Sequence, residues 1–97
     1  MSNNLDKEVA VKILGAKNPT VVWDYTTNAI HDYHILKYIR ENWTGSILQL
    51  YLGALVQEYA KRSKDPALLF LQYQPGDYSK AALKVCYFAE QENIKDF

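Results

Sequence analysis

Apolar residues recur at helical spacing along most of this chain. Leu5, Val9, Ala10, Ile13 and Leu14 fall three or four residues apart, which predicts a helix over 4–14. Asp6 and Glu8 near its start and Lys12 near its end suit the helix dipole, and Gly15 supplies a stop. The same stretch also reads as a strand, because Val9, Val11 and Ile13 alternate. Segment 19–28 carries two signals as well. Asn18-Pro19 is a favourable helix start. Val21, Val22, Trp23, Tyr25, Thr26 and Thr27 favour an extended chain. If both stretches are extended, they form an N-terminal β-hairpin over 8–27 packed on helices, and the fold is α+β.

From residue 28 onward the helical period dominates. Ala29, Leu36, Ile39 and Trp43 form one stripe over 28–43, widened by Tyr33 and Ile35. The triplet TGS breaks the chain, and Ser46 with Gln49 makes a capping box for a helix over 46–62. Leu48, Tyr51, Leu52, Leu55 and Tyr59 are its expected core stripe. Ile47, Leu50 and Ala54 lie on another side. A helix apolar on more than one side is central in its bundle or covered by a partner. Gly53 costs about 1 kcal/mol relative to alanine in a helix interior. Close approach of a second backbone is a physical reason to keep it.

Asp65-Pro66 caps a short helix, PALLFLQY, which Pro75-Gly76 ends. Asp77 then caps a last helix whose apolar middle, 81–89, is expected to be buried. The stretch GDYSKAA resembles the turn and second-helix start of a tetratricopeptide repeat. No second repeat follows it, so only a turn and a helix are taken from that resemblance. The expected fold is a single small globular domain, 1–97. It is all-α, a compact bundle of four to five helices with 46–62 as its central helix.

Composition narrows the function classes. Eleven basic residues balance eleven acidic ones. That argues against broad attraction to a phosphate backbone, so nucleic acid is not the expected partner. The single cysteine, Cys86, excludes an intrachain disulfide, and a reducing cytoplasmic setting is the simplest expectation. The start lacks a basic, apolar leader pattern. The apolar run ILQLYLGALV is far short of the ~20 residues a membrane span needs, so no membrane association is expected.

Candidate chemistry is sparse. His31 and His34 share a helix face with Tyr38 and Glu41. Two histidines fall short of the ligands a structural zinc site takes, so neither metal nor cofactor is expected. A metal- or small-ligand-binding role for that face is one alternative, and a polar, titratable contact surface is another. Cys86 sits in too apolar a stretch for an activated thiolate. No glycine-rich phosphate loop or paired acids occur, so no enzyme is expected. Helix–turn–helix spacing is present, but the second helix opens SILQLYL where base-reading residues would stand. Lys61, Arg62 and Lys64 remain candidate phosphate contacts for a small nucleic-acid-associated regulator.

Eight tyrosines, two tryptophans and three phenylalanines exceed what a core this small can hold. Aromatic residues at a surface suit partner binding. The sequence therefore points to a non-enzymatic protein–protein interaction module: an adaptor, an assembly subunit or an inhibitor of a larger protein. Trp23, Tyr25, His31, His34, Tyr38, Glu41 and Leu50 are its candidate contacts. Ile47, Leu50, Gly53 and Ala54 are candidates for packing against a second copy in a homodimer.

Overall fold

The computed structural model describes residues 4–62 and 73–93. The regular elements among them are all helical. Helix α1, Asn4–Glu8, runs directly into a π-helical turn, Val9–Ile13. Helix α2 spans Ala29–Asn42, α3 Gly45–Arg62 and α4 Asp77–Gln91. The short helix expected at PALLFLQY, with its Asp65-Pro66 cap, lies outside the described residues.

No strand occurs among the described residues, so the β-hairpin over 8–27 does not form. Its first half is helical because the 9/10/13 spacing prevails over the 9/11/13 alternation. Val9, Ala10 and Ile13 are buried while Val11 is exposed. Its second half is irregular chain that never meets a partner strand, and Val21 and Trp23 stay on the outside.

Asn28 opens α2, its side chain accepting from Ile30 N–H at 3.0 Å. The buried side of α2 is Asp32, Ile35 and Ile39, followed by Trp43 just past its end. Ala29 and Tyr33, expected on this stripe, are exposed. The inward face is led by a carboxylate, which a purely apolar stripe could not reveal.

Helix α3 begins at Gly45, whose φ of +61° is left-handed backbone. Ser46 therefore lies inside the helix and not at the cap of the expected box. Ile47, Tyr51 and Leu55 are buried, Leu48 and Tyr59 half-buried. Leu52, expected in the core, is 53% exposed, and Ile47 faces inward and not toward a second surface. Tyr51 is wholly buried, edge-on to Trp43 at 5.9 Å, with its hydroxyl donating to the Tyr78 carbonyl at 3.3 Å. That contact ties α3 to the start of α4.

Helix α4 packs against α3, α2 and the π turn. Helix α3, expected at the centre of the bundle, packs chiefly on α4. Helix α4 buries Ala81, Ala82, Leu83, Val85, Cys86 and Ala89. The small alanines let neighbouring helices approach closely. The expected burial of 81–89 holds on this inward side, while Lys84, Tyr87 and Phe88 face out.

Three buried aspartates fix how these elements meet. Asp6 accepts from the Thr26 amide at 2.8 Å and the Thr26 hydroxyl at 2.7 Å, pinning the 24–27 turn to α1. Asp32 is completely buried and caps α4 from α2. It accepts from Ser79 N–H (2.8 Å), Ser79 Oγ (2.6 Å), Tyr78 N–H (3.2 Å) and Tyr73 OH (2.7 Å). The first N–H groups of a helix have no acceptor within it. Gly76, at the cap position of α4, has no side chain to offer, so the acceptor comes from another helix. Asp77 is the first residue of α4 and not its cap. Its carboxylate takes both Arg62 guanidinium nitrogens, at 2.6 and 2.7 Å, and the Gln74 amide at 2.7 Å.

Gly76 completes the junction. Its φ is +98°, and a Cβ built there would stand 2.3 Å from the Thr26 carbonyl oxygen. Backbone passes so close to backbone that glycine alone fits.

Candidate functional site

The irregular segment before α2 and the first turns of α2 bring together an exposed aromatic group. Trp23, 55% exposed, lies over His31 with ring centroids 4.8 Å apart. His31 Nδ1–H donates to Asp24 Oδ1 at 2.5 Å. That hydrogen bond holds the Asp24 carboxyl below its usual range. His34, one turn along, is exposed, and its ring lies 6.0 Å from that of His31. Ile30, a turn before His34 on the same helix, is 68% exposed. Beneath them Tyr25 meets His31 edge-on at 6.5 Å.

Local sequence accounts for this placement. Asn28 starts α2 and fixes where His31 and His34 project. The 24–27 turn, closed by Asn28 N–H to the Asp24 carbonyl at 2.9 Å, brings Asp24 back to His31. Asp6 holds the turn from below through Thr26.

The expected contact residues therefore divide. Trp23, His31 and His34 come together. Tyr25 is a correction: only 7% exposed, it belongs to the core and buttresses His31 from within. Burial raises its phenol above the ordinary value. Tyr38 is half-buried and lines a separate hollow with Ile13, Gly15, Asn42 and Trp43. Glu41 is exposed on the last turn of α2. Leu50 belongs to another groove altogether, between α3 and α4. Asp24 was not legible as a partner of His31, because nothing in the spacing of an irregular loop encodes which helix residue it reaches.

Among the described residues, no group of three or more histidine, cysteine, aspartate or glutamate side chains is arranged to hold a metal ion. Two members of the basic cluster have partners within the chain. Arg62 is engaged by Asp77, and Lys61 Nζ lies 3.6 Å from Glu58. Lys64 is outside the described residues. Cys86 is buried, and that burial pushes its thiol up to about 11, so thiolate chemistry near neutral pH is suppressed. The Asp32–Ser79 pair is enclosed, with Asp32 carrying four donors, and acts as a structural brace. Among the described residues, no helix is long and apolar enough to cross a membrane.

No protein-family model, curated protein or solved structure matches the chain.

Proposed function

We propose that this chain is a non-enzymatic protein–protein interaction module that docks a partner protein through the surface around Trp23, Ile30 and His34. It would serve as a small adaptor, an assembly subunit or an inhibitor that occludes a larger protein. One observation carries this reading: an exposed tryptophan held in a fixed pose. Trp23 rests on His31, and His31 is tied to Asp24. Binding energy is lost when contact side chains must be ordered on association. A tryptophan already held against a helix avoids much of that loss, and tryptophan is among the residues that dominate interfaces.

The reading that uses Lys61, Arg62 and Lys64 on nucleic acid has less support, since Arg62 is paired and partly covered.

The test is affinity capture with the whole chain and its Trp23→Ala and His34→Ala variants, followed by reconstitution with the purified partner. Trp23→Ala should weaken binding by about 2 kcal/mol or more, roughly thirtyfold. The control Leu52→Ala, on exposed α3, should bind as the parent does. A partner held equally by the parent chain and Trp23→Ala would rule out this surface.

A further inference from the structure

Helix α3 has a face that none of the described residues covers. At roughly 100° per residue, Ser46, Gln49, Leu50, Val56, Gln57 and Ala60 all lie within about 60° of Gly53. All seven residues are exposed, and none is charged. Ordinary exposed surface carries about a quarter to a third charged residues. Of the charges on α3, Glu58 and Arg62 lie off this face, and Lys61 stands at its margin, about 80° from Gly53. Glu58 pairs with Lys84 and Lys61, and Arg62 with Asp77.

Gly53 sits at the middle of the face, directly opposite the buried Tyr51 and Leu55. It is not among the glycines with positive φ, and a Cβ there would meet nothing within 4 Å. Neither backbone geometry nor packing among the described residues calls for glycine, although it weakens the helix by about 1 kcal/mol. The close backbone approach expected from the sequence is not made by any part of this chain described here.

The sequence is also symmetric about Gly53. Gln49 and Gln57 stand equally far to either side, as do Leu50 and Val56, and Ser46 and Ala60. We propose that two copies of the chain pack α3 against α3, antiparallel, across a two-fold axis through Gly53. Each glutamine then faces the other glutamine of the copy, with amide donors and acceptors that complement each other. Leu50 meets Val56, and Ser46 meets Ala60. Every contact off the axis occurs twice, as in any isologous interface. Small residues at 46, 53 and 60 let the axes approach to about 8 Å, the close end of helix packing.

Beside this seam lies a groove of about 350 Å³ between α3 and α4, lined by Leu50, Gly53, Ala54, Val85 and Phe88 among others, with Lys84 at its edge held by Glu58. Phe88, 43% exposed, forms its wall and extends the apolar contact onto α4. A charged partner would find no opposite charge among these seven residues. A second copy presents the same uncharged amide and apolar groups and is its natural complement. Of the residues expected from the sequence to pack against a copy, Leu50 and Gly53 lie on the seam. Ala54 lies at its margin, and Ile47 is in the core.

Sedimentation of the whole chain across the micromolar range tests this. The parent chain should dimerise, and Gly53→Glu should weaken the dimer on the order of a hundredfold by opposing two carboxylates at the axis. The variant's circular dichroism should be unchanged, because the side chain has open space in the monomer. Orientation is read by mild oxidation of cysteine variants, with native Cys86 buried. Gly53→Cys should cross-link to its own copy, whereas Ser46→Cys alone should not and Ser46→Cys/Ala60→Cys should. A parent chain that stays monomeric, a dimer indifferent to Gly53→Glu, or self-linking of Ser46→Cys would each overturn the proposal. Trp23→Ala should leave the dimer intact, so the two surfaces succeed or fail separately.

Discussion

Gly15 and Gly76 are alike in backbone and unlike in surroundings. Both have left-handed φ, +74° and +98°, but a Cβ at Gly15 would meet nothing within 4 Å while one at Gly76 would collide with Thr26. The conformational cost of an alanine there is about 1–2 kcal/mol in each case. At Gly76 forced repacking adds about 1–3 kcal/mol more. Denaturant melts of Gly15→Ala and Gly76→Ala should therefore differ, with Gly76→Ala the weaker by more than about 1 kcal/mol. Equal losses would mean that the Thr26 contact is not tight. The sequence marked both glycines as breaks between helices. It could not rank them, because the difference is made by a residue far away along the chain.

The same division between local and distant causes holds for the elements. Helices α2, α3 and α4 were legible because each has a sustained apolar period. The N-terminal stretch was ambiguous because its β-branched residues satisfy two periods at once, and only packing against α4 settles which is used. The inward face of α2 was misjudged for a specific reason. Charged residues are rarely fully buried, so the apolar stripe leaves out Asp32, which is the cap of α4. Of the candidate contacts, the histidine pair was legible from its spacing, whereas the pose of Trp23 depends on Asp24 in a loop without period. Removing the Asp32 carboxylate by Asp32→Ala leaves the Tyr78 and Ser79 amides without acceptors, a loss of about 3 kcal/mol. Hydrogen exchange should locate the damage, with the first turn of α4 losing protection before α3 does. Uniform loss across the chain would show that α4 is not held locally from α2.

At the scale of the whole molecule, the core carries groups that bind protons more tightly when folded. Burial raises the Cys86 thiol to about 11 and the Tyr59 phenol to about 12, and raises Tyr51 and Tyr73 as well. The unfolded chain would release these protons nearer their ordinary values, 9.0 for the thiol and 10.0 for the phenols. Stability should hold below about pH 9 and fall as pH rises through the folded values. A thermal midpoint measured against pH should show this decline, and Cys86→Ala should remove its earliest part. A midpoint unchanged well above the ordinary phenol value would contradict the burial of these groups. The Thr26–Gly76 contact also bears on descent. Surface positions can drift without consequence for the fold, but position 76 is closed to every residue except glycine while the Thr26 carbonyl lies where it does. A remote cousin of this chain would betray its kinship through a sparse signature, an aspartate for each of Asp6 and Asp32 with a threonine between them, then glycine and serine at the spacing of Gly76 and Ser79. The exposed positions around those five residues are open to rewriting.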